Sequence, residues 1–229
     1  MILLFLSLSG CATIKTTPSI FSEVPAGKTT NSASRFELID DFNAGVGKNK
    51  FGSEWKTSEI NGTKLRLFHD REDAVRHGGS MGIEYALSTR QIARVFVPLN
   101  GVDVSQAGFL VFLIRKSDLG LFGGKVAAGL RDMSGKDITV EIRTSKTRVW
   151  KGPQGEWAEI AVPRSAFEVL DFNRLDRFEL ILMAPDREIK GSLAVDEIAF
   201  FGPPDLVFQS DRDNLVGFLS QTVHERRRN

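Results

Sequence analysis

The sequence predicts an all-β fold: an antiparallel β-sandwich of jelly-roll type, followed by a C-terminal helix. Three observations predict it. Between residues 36 and 202, short β-branched and aromatic runs recur with turn residues between them. Several of these runs alternate apolar and polar, as half-buried strands do. Helical periodicity is weak throughout this body and returns only after Pro203-Pro204.

Composition bounds the rest. The 229 residues suffice for one sizeable domain with tails. A net charge of +1 creates no global field favouring nucleic acid, and no nucleic-acid partner is expected. The chain has 17 Phe but only one Tyr and three Trp, so its aromatics mostly fill a core. A single Cys excludes an internal disulfide and any multi-cysteine metal site.

Taken in order, residues 1–11 read as a secretory signal. Ile2 to Leu8 is apolar apart from one Ser, and far short of the ~20 residues that span a bilayer. Leu8-Ser9-Gly10-Cys11 resembles the bacterial lipobox, which implies that Cys11 is lipidated and becomes the mature N-terminus. The chain is then anchored to a membrane rather than spanning it. Ala12 after the Cys implies, by the same resemblance, the outer membrane or its periplasmic face within the cell envelope. Residues 12–35, rich in Thr, Ser, Pro and Ala, read as a flexible tether.

Residues 36–202 form the sandwich domain. Phe36 to Trp55 opens it and Gly191 to Gly202 closes it, each with acids set among apolar residues. Ile83 to Leu87, Ile92 to Val97, Phe109 to Ile114, Val126 to Leu130, Ile138 to Ile142, Trp157 to Val162 and Phe178 to Met183 are strands between them. Phe109 to Ile114 is continuously apolar, as a strand buried on both faces is. Asp132 to Lys136 has hairpin-turn chemistry, and Pro163 stops a strand. Residues 203–229 form a tail. Leu215, Phe218, Leu219 and Val223 there make one apolar helix face, and Arg226 to Arg228 suit a helix C-terminus. Such a helix packs on the sandwich or meets a protein partner.

The acidic pair in Leu38-Ile39-Asp40-Asp41-Phe42, followed by Gly52-Ser53-Glu54-Trp55, resembles the opening of carbohydrate-binding modules of the galactose-binding-like jelly-roll superfamily. The family eleven modules and the related complex I intermediate-associated domain are nearest. Leu99 to Arg115, Trp157 to Phe167 and Gly191 to Gly202 resemble later segments of the same families, in the same order. The resemblance implies two antiparallel sheets with the first and last strands side by side. It also implies a structural Ca2+ held by Asp40, Asp41, Asp196 and Glu197, since Ca2+ takes six to eight oxygens. The residues alone fit as well with acids that point outward or bond to local backbone.

The resemblance further implies a polysaccharide or other glycan bound on a concave sheet. Candidates on the middle strands are Trp150, Tyr85, Arg115, Arg131 and Arg143, with Trp150 foremost; Trp55 and Trp157 are expected in the core. The function expected is a non-catalytic binding module. The alternative is an envelope interaction protein that meets a protein partner through Leu121-Phe122 or the C-terminal helix.

Other chemistry does not assemble. Gly78-Gly79-Ser80-Met81-Gly82 matches the nucleophile-elbow pattern, which needs a strand before it and a helix after it; here a charged stretch precedes and a strand follows. His69-Asp70-Arg71-Glu72-Asp73 lacks metal-motif spacing and reads as a solvated charged loop.

Overall fold

The computed structural model describes residues 36–58, 63–75, 78–142 and 148–202. By contact the chain divides into Met1–Ala33 and Ser34–Asn229, and every described residue lies in the second unit. The signal, Cys11, the tether, Arg143 and the C-terminal helix therefore lie outside the described residues.

Twelve strands are described: β1 (Phe36–Asp40), β2 (Lys56–Ser58), β3 (Thr63–Asp70), β4 (Ser80–Leu87), β5 (Ile92–Val102), β6 (Phe109–Arg115), β7 (Lys125–Asp132), β8 (Asp137–Glu141), β9 (Arg148–Gly152), β10 (Gly155–Pro163), β11 (Leu175–Met183) and β12 (Ile189–Phe201). One short helix, α1 (Lys116–Phe122), joins β6 to β7. The strands form two antiparallel sheets. One has the order β3-β4-β12-β6-β10-β9 with β1 added on β12; the other has the order β2-β5-β11-β7-β8. They are called here the seven-stranded and five-stranded sheets.

The first and last strands do lie side by side, with Phe36 opposite Phe201 and Asp40 opposite Ile198. β12 is long enough to pair with β4 through residues 189–195 and with β1 through 198–201. Its alternation changes phase on the way. Leu193 and Val195 point into the core, and so do Ile198 and Phe200, because Glu197 takes a left-handed conformation (φ 47°) where the register with β6 slips. One extra residue in a strand of this kind swaps which face each later side chain meets.

The core lies between the sheets. Ile83, Phe112, Ile160 and Val195 meet Val95, Val97, Leu130 and Phe178 across it. Trp55 is buried there, edge-on to Phe178 at 6.2 Å, and its indole Nε1 donates to Asp40 Oδ2 at 2.8 Å. β6 is apolar on both faces for a reason. Leu110, Phe112 and Ile114 enter the core, while Val111 and Leu113 are also fully buried on the outer side.

What buries that outer side is the chain after β3. Asp73 lies against Arg115 of β6, the Val75 N–H donates to Asp196 of β12 at 3.1 Å, and a Cβ built on Gly152 of β9 would lie 3.4 Å from the Ala74 carbonyl oxygen. Residues 71–75 thus strap the outer face of the seven-stranded sheet. The reading of His69 to Asp73 as a solvated loop fails here, because Asp73 is 0% exposed. The expected partner contact Leu121-Phe122 is corrected in part: both lie in α1, which ends at Gly123 in a left-handed cap (φ 68°), and Phe122 is buried while Leu121 is exposed.

Candidate functional site

The strap covers the outer side of the seven-stranded sheet. On the seven-stranded sheet, Trp157 of β10 is 0% exposed beneath the strap and Gly152. On the five-stranded sheet the strand registers assign one outward set without ambiguity. Arg94, Phe96 and Pro98 of β5 stand opposite Ile181, Glu179 and Arg177 of β11. Those in turn stand opposite Ala127, Gly129 and Arg131 of β7, and these opposite Glu141, Thr139 and Asp137 of β8. The matching even residues of β11 and β7, such as Phe178, Leu180 and Leu130, fill the core.

This outer face carries charged pairs around a buried centre at Ala127, Ile181 and Glu179. Glu179 is 4% exposed and binds two guanidinium groups, Arg94 Nη1 at 2.8 Å and Arg177 Nη1 at 3.1 Å. Arg177 also lies over the Phe96 ring, 4.9 Å from its centroid. Arg131 Nη2 donates to Asp137 at 2.9 Å, while its buried Nε has no acceptor among the described residues. Gly129 stands at the middle of the face, level with Glu179 and Thr139. A Cβ there would reach Glu179 Cβ and Ile181 Cδ1 at 3.4 Å and Thr139 Oγ1 at 3.6 Å, so these three side chains close around the glycine. Planar guanidinium forks and fixed carboxylates are the groups that bond paired hydroxyls or an anion on a polymer chain.

The residues expected from the sequence do not share one face. Arg131 stands on the open face. Arg115 is on the other sheet beneath the strap, where it bridges Asp73 and Asp118; Asp118 Oδ2 accepts from Arg115 Nε at 2.8 Å and from the Ala194 N–H at 2.9 Å. Tyr85 is not a surface ring. It is buried in the core, edge-on to Phe122 at 5.0 Å, because it alternates in phase with Ile83 and Leu87. Trp150 stands opposite Trp157 on the edge hairpin of β9 and β10. It is half-buried, and its Nε1 donates to Glu159 Oε2 at 2.7 Å. Sequence reasoning missed Arg94, Phe96, Arg177 and Glu179.

Three of the four acids expected to hold Ca2+ are bonded to other groups. Asp40 accepts from the Phe42 N–H at 2.9 Å and from Trp55, and burial still raises its pKa. Asp41 pairs with Lys50 at 3.1 Å. Both oxygens of Asp196 accept main-chain N–H groups, from Val75 at 3.1 Å and Glu197 at 2.8 Å. Burial lifts Asp196 to about 7; the Val75 bond opposes this, and the charges of Glu197 and Asp41 add to it. Among the described residues, no three His, Cys, Asp or Glu side chains come together so as to hold a metal ion. Asp40 and Asp196 thus answer to backbone donors and an indole, and Asp41 to a lysine.

Ser80 is not a poised nucleophile. It is fully buried at the start of β4, after Gly78 (φ 88°) and Gly79 (φ 133°), and no helix follows it. His69 Nε2 instead meets the Gly78 carbonyl at 3.0 Å.

No protein-family model matches the chain. No curated protein matches it either. Solved structures do match in fold. The family 11 carbohydrate-binding module of the cellulosomal cellulase Lic26A-Cel5E of Clostridium thermocellum aligns over 75% of this chain and 96% of its own, at 17% identity and a TM-score of 0.53. The Clostridium thermocellum family 11 module in complex with a β-1,3-1,4-mixed-linked tetrasaccharide aligns over 75% and 98%, also at 17% identity and a TM-score of 0.53. A β-1,2-glucanase from Parabacteroides distasonis matches over 72% of this chain but 25% of its own, at 13% identity and a TM-score of 0.51. The described domain thus has the antiparallel jelly-roll fold of the carbohydrate-binding modules.

Proposed function

We propose that the chain is a lipid-anchored, non-catalytic carbohydrate-binding module whose ligand lies across the outer face of the five-stranded sheet. One observation carries the choice of face. The strap at residues 71–75 covers the outer side of the seven-stranded sheet, whereas the outer side of the five-stranded sheet carries the arginine–carboxylate pairs of Arg94, Arg177 and Arg131. The fold shared with a module solved with an oligosaccharide supports the ligand class. Ordered arginine–carboxylate pairs suit hydroxyl-rich polymers, because their donors are held in position before the ligand arrives. Anchoring through Cys11 would hold this face near the envelope surface. Fatty-acid labelling that persists in Cys11→Ser would sink the anchor.

Trp150 supports a second glycan position, since it is only partly buried and lies on the edge strand β9. The two positions part cleanly by mutation. Affinity electrophoresis of the full chain through polysaccharide gels, with Arg177→Ala beside Trp150→Ala, is the test. Retardation lost in Arg177→Ala and kept in Trp150→Ala assigns the ladder; the reverse assigns the hairpin. No retardation in any gel moves the reading to a protein-binding envelope component. Leu121, 82% exposed on α1, is then the first contact to examine.

A further inference from the structure

Arg131 and Arg177 stand directly opposite each other on neighbouring strands, both on the open face. Like charges in that relation destabilise a sheet. The acids on hand do not cancel them. Glu179 is shared between Arg177 and Arg94, and Asp137 serves Arg131 through one nitrogen only. Asp176 comes no closer to Arg177 than 4.0 Å. Lys125 takes up Glu141 at 3.2 Å, and Lys56, level with Phe96 and Glu179, adds a further cation. Four carboxylates therefore serve four cations, Asp176 at the longest distance, with Lys56 as a fifth cation beside them. Where the two arginines face each other, the Arg131 Nε is buried without an acceptor among the described residues.

Resting on the glycan reading above, we infer that the polymer is acidic: it carries a carboxylate or sulfate ester that seats between Arg131 and Arg177. A neutral chain would supply hydroxyls, which satisfy donors but leave two like charges side by side. An anion satisfies both, because a planar guanidinium binds an oxyanion through two parallel bonds. Gly129, one pair along the ladder, adds no side chain of its own next to that anion.

The test is affinity electrophoresis of the full chain in gels holding polygalacturonate (carboxylates only), carrageenan (sulfate esters only) or mixed-linked β-glucan (neutral). Runs at roughly 20 mM and 300 mM salt expose the ionic share. The expected result is retention by one acidic polymer about tenfold tighter than by the glucan, falling with salt. Arg131→Gln and Arg177→Gln should each lose most of it, and Arg177→Lys part of it, since the charge stays but the fork goes. Arg66→Gln, which removes one cation from the other sheet, should change nothing. The polymer retained, polygalacturonate or carrageenan, names the anion. Glucan retained as tightly as the acidic polymers, without salt dependence, overturns the acidic inference and leaves the glycan reading standing. No polymer retained overturns the glycan reading itself. Equal retention by both polyanions in wild type and both Gln variants overturns the inference as bulk attraction.

Discussion

Asp73 and Arg115 form an ion pair across 42 residues of sequence, Oδ2 to Nη1 at 2.5 Å, with the Asp73 side chain wholly buried. Asp73 pins the strap over the outer side of the seven-stranded sheet. Removing one partner of a buried pair leaves the other charge without its counter-ion, at a cost of about 3–5 kcal/mol. Arg115 keeps Asp118, so the loss for Asp73→Ala belongs at the lower end. Urea unfolding checks this. A loss under about 1 kcal/mol would mean that the strap is not held by this pair.

Asp196 sets a pH dependence with a definite sign. Burial raises its carboxyl from 3.8 to about 7. Between those values the folded chain keeps a proton that the unfolded chain has released. Stability is therefore full below about pH 4, falls as pH rises, and by this group's action is lowest above about pH 7, by up to about 4 kcal/mol. Asp132 acts in the opposite sense: burial would raise it, but bonds from the Ser134 hydroxyl and the N–H groups of Asp171, Lys136 and Ser134 hold it low, so its contribution is lost only in acid. Asp40 and Asp73, also raised by burial, act in the same sense in wild type and variant, so the difference between their melting curves from about pH 5 to pH 8 reports Asp196. Wild type should lose more stability across that window than Asp196→Asn. Parallel slopes would show that Asp196 titrates normally.

A chelator should leave the melting temperature unchanged, and millimolar Ca2+ should not raise it. The reason is the employment of the acids, with Asp40 and Asp196 each accepting two hydrogen bonds from fixed donors. Ca2+ binding would have to displace those bonds or find its oxygens elsewhere. A rise of several degrees with Ca2+, reversed by chelator, would restore a metal site at β1 and β12.

The architecture was legible because local signals and burial agree. The continuous run Phe109 to Ile114 told of a strand covered on both sides, and the hairpin chemistry of Asp132 to Lys136 matches the β7–β8 turn. Tyr85 was legible too, had its phase with Ile83 and Leu87 been weighed above its value as an exposed ring. The open face was not. Arg177 and Glu179 alternate correctly in β11, but that they meet Arg131 and Arg94 depends on which strands pair and in which register. Periodicity carries no such information. Asp73 escaped for a related reason: a charged run looks solvated until a distant strand supplies its Arg. In α1, seven residues with a central glycine are too few to show a helical period.

Gly129 offers a test that does not remove any charge. Its backbone is ordinary for a strand, with no positive φ, so a side chain strains nothing locally. A methyl group meets Glu179 and Ile181 at ordinary contact distance, and Gly129→Ala should fold with stability changed by no more than about 1 kcal/mol. A longer side chain must push aside Glu179, Ile181 or Thr139, whose side chains already surround the Cβ position. Gly129→Leu should therefore abolish polysaccharide retention and melt below Gly129→Ala. Retention unchanged in Gly129→Leu, with the fold intact, would show that the ligand does not cross this face, whatever its charge, and the Trp150 hairpin would become the position to pursue.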